Sequence, residues 1–211
     1  MANSTQENLK TAGYGTSIFR CSEKSDQARR RRNQTSALAF MDEMLDRRSR
    51  YLMLFLTLNY RKEYRQDIHL PTIQSHRDAF FRQIENARCS VLSGIEGCLW
   101  RLEEGDTAGL HLHLLIFYSG RYRGDIQIAR QIGEHWAKWT TRGWGDYRNS
   151  NASRAHYKDR WGDGLGQVNR SDIEKRKSLM CFAGEYMAKT TQVPSMRTNP
   201  HERLFGVRRF S

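Results

Sequence analysis

Residues 109–117, GLHLHLLIF, constrain the fold more than any other stretch of the chain. The run is apolar enough to be a buried strand, yet it carries His111 and His113. Side chains alternate along a strand, so the two histidines share one face with Cα atoms roughly 6.5–7 Å apart. Leu112, Leu114 and Ile116 share the other face. Ring nitrogens at that spacing can converge on one metal ion. Either histidine alone reads as well as a half-buried residue hydrogen-bonded to a neighbour, so the surrounding elements have to decide.

Two further runs read as strands. Residues 50–60, RYLMLFLTLNY, are apolar almost throughout, which suits a central strand. In it Thr57 and Asn59 share a face with Phe55. Residues 95–105, IEGCLWRLEEG, form a second strand, and residues 106–110 connect it to the histidine strand as an antiparallel hairpin. Apolar spacing predicts helices over 35–48, from Pro71 to Val91, and from Asp125 to near Gly143. A loop rich in glycine, arginine and aromatics is expected over 143–164, then a short strand over 165–168. A last helix opens on Ser171 with Glu174 three residues on, a capping box, and runs to about Thr190. Residues 1–26 are polar and read as loosely ordered. The order β-α-β-β-α-β-α defines an α+β fold: a ferredoxin-like split β-α-β with an antiparallel sheet, helices on one face and the site on the open face. The expected domain is 47–193, preceded by a basic extension with a helix (1–46) and followed by a tail (194–211).

The hairpin partner should complete the metal site. With Trp100 and Leu102 turned to the helices, Arg101 and Glu103 face the histidines, and Glu104 is the alternative if the strand parity is off by one. Two histidines and one carboxylate suit a divalent ion such as Mn²⁺ or Mg²⁺, and zinc is compatible with the same ligands. In the last helix Phe182, Tyr186 and Lys189 share a face. A tyrosine is about a thousandth phenolate at neutral pH, so as a nucleophile it needs a nearby cation or a polarised electrophile; Lys189 and the metal would supply them. The plainer alternative is a half-buried Tyr186 and a Lys189 paired with Glu185.

The formal net charge of +12 over 211 residues implies a polyanionic partner, most often nucleic acid. Trp144, Tyr147, Tyr157 and Trp161 lie among Arg148, Arg154 and Arg160, a mixture that suits stacking on splayed bases, although any single one of these aromatics could merely plug a sheet edge. Residues 28–34, ARRRRNQ, read as a solvated helix start or a phosphate-contacting arm. Four scattered cysteines with no C-x-x-C argue against a zinc knuckle or a disulfide framework and fit a reducing cytoplasm. No apolar run is long enough to span a bilayer, and no signal peptide is evident.

His-x-His on a strand, a basic chain and Tyr-x-x-Lys on a helix together resemble the HUH endonuclease superfamily. FLTLN (55–59), EEGDTAGLHLH (103–113) and YMAK (186–189) are similar to its three motifs. SRYL (49–52) and Trp100-x-x-Glu103 resemble the replication initiators of filamentous phages and their prophage relatives, and the likeness covers residues 47–192. The resemblance implies a rolling-circle initiator that nicks single-stranded origin DNA in the host cytoplasm. A divalent metal on His111, His113 and Glu103 would polarise the scissile phosphate. Tyr186 would form a 5′-phosphotyrosyl link, with Lys189 steadying the phosphate or the phenolate. Thr57, Asn59, Arg101 and the aromatics and arginines of 143–164 would contact DNA. Phe182 occupies the place of a second tyrosine, implying a single-tyrosine enzyme, and with no G-x-x-x-x-G-K-[ST] a host helicase would unwind the duplex. A second class of function is a non-enzymatic single-strand binder with an RRM-like open face; the lack of an aromatic RNP-like strand speaks against it.

Overall fold

The computed structural model describes residues 23–195, 197 and 202–210. Six strands, β1 (Arg50–Tyr60), β2 (Ile95–Gly105), β3 (Gly109–Ser119), β4 (Gly145–Asn149), β5 (Gly166–Asn169) and β6 (Phe205–Arg209), make one sheet. Its order is β4-β1-β3-β2-β6, every pairing is antiparallel, and β5 pairs with β1 beyond the end of β4. The helices are α1 (Glu23–Arg47), α2 (Leu70–Glu85), α3 (Asp125–His135), α4 (Ala155–Trp161) and α5 (Ile173–Cys181). α3 and α5 run on into π-helical turns at Trp136–Thr140 and Phe182–Met187. The fold is α+β, as expected. Among the described residues no helix is long and apolar enough to cross a membrane.

Strand alternation sorts the core into two layers. Leu52, Leu54, Leu56 and Leu58 of β1, with Trp100 and Leu102 of β2 and Leu112, Leu114 and Ile116 of β3, pack against α2 and α3. Met53, Phe55, Leu99, Leu115 and Phe117 pack on the opposite side against Phe40, Met41, Met44 and Leu45 of α1 and Phe182, Ala183 and Met187 of the π turn. The face expected to be open is therefore covered over its apolar half by α1 and the tyrosine-bearing helix. The reason is in the strands: beyond the histidines this face of β3 continues as Leu115 and Phe117, and leaving such side chains to water is unfavourable.

Several boundaries differ from those the sequence predicts. Residues 1–22, which hold most of the stretch read as loosely ordered, lie outside the described residues, and residues 23–26 already belong to α1. α1 packs on the sheet and is part of the domain. The supposed tail supplies β6, which pairs with β2 from Gly97↔Arg209 to Arg101↔Phe205. The stretch 143–164 is mostly regular, forming β4, a 3₁₀ turn and α4. The cap of α5 is Asp172, which accepts from the Lys175 N–H at 3.1 Å, one residue beyond the expected Ser171. The β2–β3 connection is three residues, 106–108, closed by Gly109 at φ 64. Only glycine adopts that left-handed conformation without a Cβ penalty, and three-residue hairpins use it.

Between β4 and β5 the edge of β1 is satisfied by one side chain. Asn151, 1 % exposed, accepts from the Phe55 N–H at 2.8 Å and donates to the Met53 carbonyl and to Asp125, each at 3.0 Å. Asn151→Ala should leave both backbone groups buried without partners and cost about 2 kcal/mol, read as a lower urea midpoint with an unchanged slope. An unchanged midpoint would mean that water replaces the amide there.

Candidate active site

Three strands change character in the same row. Phe55, Leu115 and Leu99 stand side by side; one step along come Thr57, His113 and Arg101; the next step brings His111 opposite Glu103. The apolar half of the face thus ends at a register line, and the ionisable half begins there, beside the end of the tyrosine helix. The three-residue hairpin fixes this register.

Glu103, His111 and His113 are all buried and form a group whose ligand atoms lie within 4.8 Å of one another. Glu103 Oε2 is 2.7 Å from His113 Nε2 and 3.5 Å from His111 Nε2, and the two Nε2 atoms are 3.2 Å apart. Three lone-pair atoms this close need a positive centre between them, a proton or a cation. Ligand bonds of about 2.0–2.2 Å at tetrahedral to octahedral angles place donor atoms roughly 2.9–3.5 Å apart, so the spacing fits a metal. The far nitrogens are engaged as metal-binding histidines require: His111 Nδ1 donates to the Gly109 carbonyl at 2.9 Å, and His113 Nδ1 is 3.0 Å from Thr57 Oγ1. Burial lowers the pKa of His111, with Arg101 and Lys189 adding to the effect against the Gly109 hydrogen bond. Burial, then His111, Arg101 and Lys189, hold His113 well below its ordinary value. Both shifts favour the neutral ring, the form that binds a metal. Glu103 is the carboxylate of the group. Glu104 instead accepts from the Ser195 N–H, outside the site.

Tyr186 sits in the π turn, a helical irregularity common at functional sites. Its ring stacks on Phe182 at 5.0 Å and meets Phe55, Trp161 and His113 edge-on at 5.8, 5.9 and 5.7 Å. The tyrosine therefore stands beside a histidine of this group. Burial, with Tyr157 adding, raises its phenol pKa; Arg101, Arg148 and Arg160 oppose that rise. Lys189 Nζ lies 4.7 Å from the ring centroid and 3.4 Å from Glu103 Oε1, and donates to Gln192 at 3.2 Å. Burial, with Arg101 and Arg160, pulls its pKa down to about 8.

The remaining expected residues divide. Arg101 is buried: it is 2 % exposed, pairs with Glu103 Oε1 and donates to the Tyr186 carbonyl at 2.6 Å. Tyr157 and Trp161, on α4, pack half-buried around Phe182 and Tyr186. Tyr147 packs on the α2–α3 layer, where its ring fills the space a Cβ on Gly133 would need. Arg154 is paired with Asp125 at 3.0 Å. Arg148 is exposed and lies opposite Thr57; Arg160 is exposed over the Trp161 ring. Trp144 is exposed and stacks on Tyr64 at 5.5 Å. Asn59 is on the site face, and its Oδ1 is buried with no hydrogen-bond partner among the described residues. Sequence reasoning missed the clamp of α1 on the tyrosine helix, in which Arg30 and Gln34 bind Glu185 and Asn33 donates to the Ala188 carbonyl. The only signal for it was the run 28–34, ARRRRNQ, which holds all three of these α1 residues.

No protein-family model, curated protein or solved structure matches the chain.

Proposed function

We propose that this protein is a metal-dependent endonuclease and strand transferase that acts on single-stranded DNA and initiates rolling-circle replication, with Tyr186 as its nucleophile. The observation that carries this is the tyrosine ring 5.7 Å from His113, on a helix end tied to the metal group by Arg101. A divalent ion such as Mn²⁺ or Mg²⁺, held by Glu103, His111 and His113, supplies Lewis-acid polarisation of a phosphoryl oxygen.

The chain's own residues do the rest. The Tyr186 oxygen attacks the scissile phosphorus, the bond from phosphorus to the 3′ oxygen breaks, and the proton lost by the phenol ends on that 3′ oxygen. The products are a free 3′-OH and a 5′-phosphotyrosyl link, and the reverse exchange rejoins a strand without ATP. Arg101 and Lys189, both beside Glu103, make the site cationic enough to draw in a phosphodiester. Lys189 holds the phosphate and steadies developing phenolate charge. Phe182, stacked where a second tyrosine would stand, leaves one nucleophile per chain. Origin DNA, a host helicase and the cytoplasm of a bacterial host complete the proposal. The RRM-like alternative needs an open sheet face, and α1 and the tyrosine helix cover much of it.

Incubating the protein with single-stranded DNA from its own replicon and Mn²⁺ should yield a covalent band on a denaturing gel. DNA binding without such a band would return the protein to the binder class. The metal assignment is tested apart from chemistry: His111→Ala with His113→Ala should abolish the calorimetric titration of Mn²⁺, Glu103→Ala should weaken it, and Glu104→Ala should leave it unchanged.

A further inference from the structure

A cleft that the histidines do not line includes Arg101 and Lys189 in its wall. Its volume is about 370 Å³, and it is bounded by the first half of α1, the segment 189–193 and the approach to β6. Six cationic side chains line it: Arg29, Arg32, Arg101, Lys189, Arg197 and Arg203. Glu202 is the one acidic residue among the lining, and its Oε1 accepts from Gln74 at 3.3 Å. The charge is not all spent internally. Arg29 pairs with Asp26, and Arg101 and Lys189 with Glu103, whereas Arg32 and Arg203 are exposed and meet no acid among the described residues. A cleft of one sign with low-dielectric walls focuses the field on an anion. Thr190 and Thr191 in the same wall offer hydroxyls to phosphate oxygens.

Arg101 and Lys189 line this cleft and also pair with Glu103, so the cleft adjoins the metal group through these two side chains. We infer that it carries the phosphodiester backbone of the single strand on one side of the scissile phosphate. This rests on the site acting on single-stranded DNA. It moves the main DNA contact away from the aromatic stretch 143–164, whose Tyr147, Tyr157 and Trp161 are packed inward, to α1 and the entry of β6.

The test is the affinity of a fluorescent oligothymidylate, measured by anisotropy across a salt series in EDTA. Arg32→Gln with Arg203→Gln should weaken binding about tenfold near 0.1 M salt and flatten the log–log salt slope by about 1.4, the share of two phosphate contacts on a single strand. Arg88→Gln with Arg121→Gln, which removes the same charge from exposed positions outside the cleft, should change affinity by less than about twofold. Mn²⁺ titration of the Arg32/Arg203 variant should match the wild type, showing the fold intact. Equal weakening by both pairs, or none by the Arg32/Arg203 pair, overturns the inference. So does displacement of the oligonucleotide by inorganic phosphate at matched ionic strength, which would mark a lone-anion site. If the wild type binds through the cleft but forms no covalent adduct, the endonuclease assignment fails and the cleft stands. If adducts form while the cleft variant binds like wild type, the reverse holds.

Discussion

Tyr186→Phe is expected to abolish the covalent protein–DNA adduct, a loss of about 10⁴-fold or more in rate, as removal of a nucleophile produces elsewhere. The fold should not change. The hydroxyl makes no hydrogen bond among the described residues, and the ring's stack on Phe182 and its edge contacts with Phe55, Trp161 and His113 are open to phenylalanine. Stability should stay within about 0.5 kcal/mol, and Mn²⁺ and oligonucleotide affinity should be preserved. Four other tyrosines are engaged elsewhere. Tyr60 bonds His76 and Tyr157 bonds Ser150, while Tyr147 lies in the α2–α3 layer and Tyr118 in the same core cluster. After nuclease trimming, the nucleotide remnant should map to the peptide spanning Tyr186. An adduct formed by Tyr186→Phe at the wild-type rate would remove this residue from the chemistry and leave the metal assignment standing.

What the sequence made legible is what strand alternation governs. Parity alone puts Thr57, Arg101, Glu103, His111 and His113 on one face, and the hairpin puts Glu103 opposite His111. The choice between Glu103 and Glu104 needed only the direction in which Trp100 points. Contacts made across the sheet were not legible. Leu115 and Phe117 continue the histidine face as an apolar surface, which signals that the face is half covered, but nothing local says which helix covers it. β6 went unseen because five residues with two arginines have little apolar signal; Phe205 and Val207 pack only because Leu99 is already there. The aromatics of 143–164 look like base-stacking residues in one dimension, and packing claims three of them.

Arg101 shows the same limit, and its replacement should have the largest effect on stability. In the sequence it is one basic residue on a strand of a basic protein. In the fold it is 2 % exposed, with Nη2 on Glu103 Oε1 and Nη1 on the Tyr186 and Lys189 carbonyls at 2.6 and 3.4 Å. Burial pulls its pKa down to about 9, so it keeps its charge at neutral pH. One guanidinium thus neutralises the buried carboxylate and holds the end of the tyrosine turn against the sheet. Arg101→Met removes both functions while keeping most of the volume. Breaking a buried pair from one side costs about 3–5 kcal/mol, and at about 2–4 °C per kcal/mol for a chain of this size the midpoint should fall by roughly 6–20 °C. Adding Glu103→Gln to Arg101→Met should recover much of that loss, because the orphaned charge goes with it, but metal binding should then be weakened. Mn²⁺ should also recover part of it in the single variant, since a cation on Glu103 replaces the missing counter-charge and binding to the folded state alone is stabilising. Recovery by Mn²⁺ should disappear when His111 and His113 are alanine. A single variant that melts with the wild type would mean that Lys189, 3.4 Å from the same carboxylate oxygen, already balances Glu103 without help.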